Sequence, residues 1–368
     1  MSAGAAEFSS SFERFLAETR VAGAAPADES ARIVLGSSVR LVRNLAGKPF
    51  PNRARPEQRR EIFQKILAAA AAVPAFRGAF VFEIENLSAA QRALLVERRF
   101  APEHFEGESL AVVIARSREL ALLVNGEEHL YVKAFARGGN GDTFSRARAA
   151  ERALGAQLDF AFSEKYGFLT ACPADAGTGM LVSRELHLPA LAMSAQLEKI
   201  VRALEAVGIS LLGNLREKRA KACVFQMVND SSLGVSETEL HELVRRWTVK
   251  VCECERAARE RLFSRSRVET LDRIARAYGI LRHAATLSAE ESADLLSLLR
   301  LGCDAGCFSE NDRARFDELL TETGRAHILC RAEFQRKTCD EKRENLLRAK
   351  LFRETLSTVR PPAPPELR

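Results

Sequence analysis

The segment Tyr166–Leu191 reads YGFLTACPADAGTGMLVSRELHLPAL and concentrates the residues that could do chemistry. A short β-prone run, Gly167–Ala171, delivers Cys172 into a loop. The loop, Pro173 to Gly179, is rich in turn residues and closes on Gly177-Thr178-Gly179. A cysteine in such a place is either a small core residue or a nucleophile, and a nucleophile needs a base within reach. No histidine neighbours Cys172 in sequence; His129 and His187 could approach it only through the fold. Two carboxylates stand elsewhere in suggestive settings. Glu127 follows the tight-turn pair Asn125-Gly126, and Glu217 sits inside the charged run Arg216 to Lys221.

The elements that must position these residues divide the chain in two. Residues 1–30 read as a loose arm with one short amphipathic helix, marked by Phe8, Phe12, Phe15 and Leu16. An α/β unit follows over 31–233. Its strands are expected to start at Ile33–Leu35 and to include Ala79–Ile84, Leu110–Ile114, Leu120–Val124, Leu130–Phe135, Ile209–Leu212 and Cys223–Val228. Helices are expected at Pro56–Val73, Ser88–Arg99, Phe144–Phe162 and Ser194–Val207. From Ser236 the pattern becomes all helix. Leu240, Leu243, Val244, Trp247 and Val251 form a near-heptad stripe, with further helices at Ser266–Ala285, Ala289–Leu301 and Glu341–Leu356. This all-α unit spans 236–357, and the Pro-rich tail 358–368 is loose.

Composition narrows the function classes. The hydrophobic and charged fractions are those of an ordinary soluble protein. No apolar run approaches the ~18 residues of a membrane span. The N-terminus lacks the basic and apolar stretches of a secretory signal, so a cytoplasmic location is expected, with no membrane partner. Eight scattered cysteines fit reduced thiols, and their spacings make no zinc pattern. The net charge of +6 comes from arginines interleaved with acids. That is a solvated surface rather than a nucleic-acid stripe.

The chemistry-bearing segment resembles the signature of the ATP:guanidino phosphotransferases, most closely the bacterial protein-arginine kinases, which read GYLT-CP-N-GTGLR and then HLPAL. Ser37 to Asn44 with Pro49-Phe50-Pro51 is similar to the family's SSRIRLARN…PFP. Asn125 to Tyr131 is similar to its NEEDHIR turn, Leu158 to Phe162 to LDFAF, and Phe225 to Asn229 to FQISN. The resemblance implies an α+β phosphagen-kinase-like fold, an antiparallel sheet flanked by helices, followed by an all-α domain that dimerises. It implies phosphoryl transfer from ATP, with Mg²⁺, to the guanidinium of protein arginine side chains. It implies Cys172, Glu127 and Glu217 as the guanidinium pocket. On the phosphate side it implies Arg40, Ser37 and the Gly177-Thr178-Gly179 turn. Partners implied are a second copy, a zinc-binding activator protein and a Clp-type AAA+ unfoldase in protein quality control. In the tail, Arg348 matches part of the family's RDxxRA phosphoarginine motif, although Glu344-Asn345 replaces its leading Arg-Asp pair.

The departures fall on the phosphate side. Of five arginines expected there, only Arg40 remains; the others fall on Ser38, Tyr131, Leu181 and Leu212 (Leu211 if no gap is placed). The family's adenine-side histidine falls on Arg99, and its CPTN asparagine becomes Asp175. A hydrogen bond to a charged group contributes roughly 1.5–3 kcal/mol, so four lost arginines remove about 6–12 kcal/mol. Each catalytic arginine in phosphoryl transfer is worth on the order of 10³ in rate. The expectation is a diverged member with impaired or absent ATP chemistry that binds arginine or regulates a partner. The competing expectation is an active kinase with relocated basic residues. Arg184, three positions past Leu181, would be one of these if the segment were helical. Arg216, Lys218, Arg219 and Lys221 would be others.

Overall fold

Strand β1 (Val34–Arg43) organises the sheet, because its alternating residues suit two different faces. Val39 and Leu41 are fully buried on one side; Ser38 and Arg40 are half-buried on the other. In this computed structural model, which describes residues 12–16, 32–103, 105, 107–139, 141–213, 221–334 and 339–363, β1 lies within an eight-stranded sheet. The remaining strands are β2 (Phe80–Glu83), β3 (Ala111–Ile114), β4 (Leu120–Val124), β5 (Leu130–Arg137), β6 (Phe162–Ser163), β7 (Gly167–Phe168), β8 (Met180–His187), β9 (Ile209–Leu212) and β10 (Val224–Asn229). The sheet order is β2-β3-β4-β5-β1-β8-β10-β9, antiparallel throughout, while β6 and β7 form a separate hairpin.

Residues 12–16 form one helical turn, α1. The following helices are α2 (Pro56–Ala72), α3 (Ala89–Glu97), α4 (Thr143–Gly155), α5 (Pro189–Met193), α6 (Leu197–Glu205) and α7 (Glu237–Arg265). Then come α8 (Arg267–His283), α9 (Ala289–Asp304), α10 (Glu310–Glu322), α11 (Arg325–Phe334) and α12 (Glu341–Leu356). On the inward face of the sheet, Val39, Leu41, Val132, Val182 and Met227 pack with Ile62 and Ile66 of α2, Ala147 of α4 and Val244 of α7. On the other face, Phe12, Phe15, Phe82, Leu94, Leu95 and Ala326 cover the β2–β4 half. That second cluster does not extend over β8, β10 and β9, where Leu212 is 51% exposed.

The C-terminal helices start with matching caps. Ser236 accepts from Glu239 N while Glu239 accepts from Ser236 N, and Ser288, Ser309 and Asp340 cap α9, α10 and α12. Leu271, Ile274, Leu296, Phe316 and Phe352 form their own core. They also reach back: Glu97 at the end of α3 accepts from Ala326 N and from the ring of His327 on α11. No helix of the described residues is long and apolar enough to cross a membrane.

Several boundaries differ from the sequence reading. The helix expected over Phe144–Phe162 ends at Gly155, and Phe162 opens β6. The region expected as one helix over Ser194–Val207 is shorter, Leu197–Glu205, preceded by α5. Two helices, α10 and α11, carried no clear apolar period in sequence. Most consequential, Met180–His187 is a strand, so period two governs it and not the helical period.

Candidate active site

Register decides which side chains share a face. Arg40 on β1 lies opposite Lys133 on β5 and Leu181 on β8; Ser38 lies opposite Phe135 and Ser183. Tyr131 is opposite Val42, and Glu185 is opposite Gln226, which in turn is opposite Leu212. Pleat alternation therefore puts Ser38, Arg40, Tyr131, Lys133, Leu181, Glu185 and Leu212 on one face of five adjoining strands. The five positions that the motifs single out as the phosphate side are thus one surface.

Arg40 is the arginine retained there, and it is already engaged. Its Nη2 donates to Asp175 Oδ1 at 3.0 Å and Oδ2 at 3.2 Å, and its guanidinium lies 5.0 Å from the Tyr131 ring centre. Burial pushes the Tyr131 phenol well above its ordinary range, so it stays neutral. Next to Arg40, Lys133 donates to the carbonyl of Arg99 at 2.9 Å. Burial, with Arg40 and Arg99 nearby, pushes Lys133 down to about 7. Arg99, held at φ 61°, turns its own guanidinium to Glu185 at 2.6 Å.

The loop bearing Cys172 docks at the end of this face. Cys172 is half-buried and precedes a single 3₁₀ turn, Pro173–Asp175. The turn at Asn125–His129 reaches it through Glu128, not Glu127. Glu128 is fully buried; it accepts from Ala171 N at 2.8 Å, Cys172 N at 3.0 Å and Asn44 Nδ2 at 2.6 Å. Burial raises its pKa, and these hydrogen bonds pull it back. Glu127 is exposed beside it. Both residues lie in the turn that precedes β5, and the hydrogen bonds of Glu128 to the Cys172 loop and to Asn44 hold it inside. Sequence reasoning missed Glu128, because no strand period marks a residue in a turn.

The Gly177-Thr178-Gly179 turn is clamped from both sides. Arg43, 1% exposed, donates Nη1 to Thr178 O and Nε to Glu151, and stacks 3.4 Å over the Phe168 ring. Ser232 donates to Ala176 O and accepts from Thr178 N through its carbonyl. Gly177 sits at φ 101°, where a Cβ would lie 2.4 Å from Ser232 O.

Other expected residues go elsewhere. Ser37 and Arg184 have the wrong parity for the Arg40 face: both are buried on the opposite side, so neither joins Arg40, and Arg184 does not replace the residue at Leu181. Glu217, with Arg216, Lys218 and Arg219, lies outside the described residues. Arg348 is 1% exposed and donates to Thr323 O, Leu287 O and Asn345 Oδ1, so its guanidinium is spent inside the helical region. His129 accepts from Leu45 N at Nδ1 and contacts Pro49 O through Nε2; burial lowers its pKa. His187 is bound to Ser297 Oγ. Both ring nitrogens of His129 are thus engaged, and His187 is turned through Nε2 towards α9 and is 1% exposed.

Comparison with known proteins identifies the family. The model of the ATP:guanido phosphotransferase C-terminal catalytic domain matches residues 62–258, more than half of the chain. The protein-arginine kinase McsB C-terminal domain matches residues 267–366. The chain belongs to the protein-arginine kinase family. It is 35% identical over 297 residues to a protein-arginine kinase of Moorella thermoacetica, covering 79% of this chain and 85% of that one. It is 34% identical over 328 residues to one of Syntrophomonas wolfei subsp. wolfei, covering 87% and 91%. Among solved structures, lombricine kinase superposes with a TM-score of 0.56 at 22% identity, covering 66% of this chain and 70% of that one. This likeness supports the phosphagen-kinase-like fold.

Protein-arginine kinases belong to an ATP-dependent family, so ATP is the ligand to test against the face. The fit is poor. Among the described residues, three cations, Arg40, Lys133 and Arg99, face two carboxylates, Asp175 and Glu185, a net charge of at most +1 against a triphosphate. Leu181 and Leu212 present apolar atoms where a phosphate oxygen needs a donor.

Proposed function

We propose that this chain is a protein-arginine kinase homologue that keeps a guanidinium pocket and has lost productive nucleotide chemistry, acting as an arginine-binding regulatory partner. One observation carries the reading: Arg40 is ion-paired with Asp175 at 3.0 Å, amid Ser38, Tyr131, Leu181 and Leu212 on the same face. The pocket side is better preserved. Exposed Glu127 is the chain neighbour of Glu128, and half-buried Cys172 donates its N–H to Glu128; a carboxylate at this edge is a suitable partner for an arginine side chain. Incubation with an arginine-rich protein and labelled Mg-ATP tests it, with acid-labile phosphate as the readout. No transfer above background is expected; multiple turnovers would contradict the reading.

Lys133 and Arg99 favour a second reading, an active kinase that uses relocated cations. In that case transfer is measurable and Lys133→Met abolishes it. By analogy with the family, the helical region pairs two copies. Light scattering at twice the 40.6 kDa chain mass supports this, and a monomer contradicts it.

A further inference from the structure

Ser37 and Arg184 leave the Arg40 face and meet behind it. They are register partners on β1 and β8, 5% and 3% exposed. A guanidinium taken out of water is costly unless an opposite charge accompanies it. Arg43, Arg259, Arg300 and Arg313 are buried as deeply or nearly so, and each has a carboxylate; Arg348 has three oxygen acceptors instead. Arg184 has none among the described residues: its hydrogen bond runs from Nη1 to the carbonyl of its own strand neighbour Ser183, at 3.0 Å. Burial pushes it down to about 10, with no acid pulling it back.

Two hydroxyls on this side of the sheet are buried and unpaired. Ser37 Oγ has no hydrogen-bond partner among the described residues. Thr143 Oγ1, on the first residue of α4, is fully buried and also has none. The start of α4 passes directly over Ala136, the register partner of Ser37: a Cβ on Gly141 would lie 1.9 Å from that of Ala136. His241 of α7 stacks on Phe144 at 4.7 Å and feels the charge of Arg184. The nearby acids are occupied. Asp142 caps α4 through Ser145 N, and Glu242 is paired with Arg245. Buried water could satisfy the hydroxyls but would not cancel the charge.

We propose that Arg184, Ser37 and Thr143, bordered by His241, form an oxyanion site behind the sheet for a phosphate-sized ligand, separate from the face that bears Arg40. The ligand chemistry is that of phosphate, free in solution or carried on a side chain. β8 would then hold the anion with Arg184 on one side and present Leu181 on the other. The site does not depend on whether the chain binds ATP.

Calorimetry and thermal melts of the full chain with sodium phosphate, at ionic strength matched with sodium chloride, test the site. Saturable binding of one phosphate per chain is expected. Arg184→Met should abolish it while melting no lower than the parent in phosphate-free buffer, because an uncompensated charge has been removed. Ser37→Ala, a mild change, should weaken binding roughly 2–10-fold. Arg40→Met should leave it intact. Free phosphoserine, titrated in parallel, separates the sources: binding as tight as phosphate indicates a side-chain phosphoryl group, and no binding indicates the free anion. A phosphate response that survives Arg184→Met, vanishes only with Arg40→Met, or matches that of chloride would overturn the proposal.

Discussion

Asp175 neutralises the arginine that the motif retains, and a single atom change tests how much that matters. Asp175→Asn removes the carboxylate charge from Arg40 while keeping the size of the side chain. A charge-assisted hydrogen bond regained by a ligand phosphate corresponds to roughly tenfold or more in affinity. Inorganic pyrophosphate titrated calorimetrically should therefore bind the variant at least that much more tightly than the parent. Lys133 makes a pH prediction. Its folded value of about 7 lies below the ordinary 10.5, so the folded chain holds fewer protons than the unfolded one. Its contribution to stability is complete above about 10.5 and is lost as pH falls towards about 7. Urea midpoints measured across this window should rise with pH in the parent, and Lys133→Met should flatten that rise. The surroundings of Lys133 were not legible in sequence. Arg99 reaches Lys133 only because the chain turns through φ 61° after α3, and no local pattern announces that.

Elements decide what a spacing means. Three residues separate Leu181 from Arg184. On a helix they would project from similar faces, but on β8 they point to opposite sides of the sheet. The motif residues were legible because types and order identify them: Ser38, Arg40, Tyr131, Leu181 and Leu212 do share one face. Strand parity separates Ser37 from Arg40 and buries it, whereas Glu128 lies in the turn before β5, where no strand period marks it. The Gly177-Thr178-Gly179 turn gives the prediction at this scale. Gly177→Ala meets both a φ of 101° and a carbonyl at 2.4 Å. Gly234→Ala, at φ 79° with open space around it, meets only the backbone strain. The second should cost about 1–2 kcal/mol. The first should cost more, measured by urea denaturation, and should speed thiol labelling of Cys172 as the loop loosens.

Across the whole molecule, the sheet and the helical region are tied by buried charges. Glu255 on α7, fully buried, accepts from Ala190 N and Leu191 N just past β8 and from Arg259 Nε. Arg259 donates onward to His187 O and to Asp304 on α9. The sequence showed two units; it could not show that such a network joins them, because the groups lie 45 to 72 residues apart. Arg259→Met strands Glu255 without its counter-charge and should cost about 3–5 kcal/mol, lowering the melting of sheet and helices together. Unchanged stability would mean the two regions are coupled by other contacts. The function proposed above gives this fold the family's architecture without its nucleotide chemistry. Calorimetric titration of Mg-ATP into the parent and into a Tyr131→Arg/Leu181→Arg variant tests it most directly. The account predicts no measurable binding to the parent and restored binding in the variant; micromolar binding to the unmodified chain would contradict it.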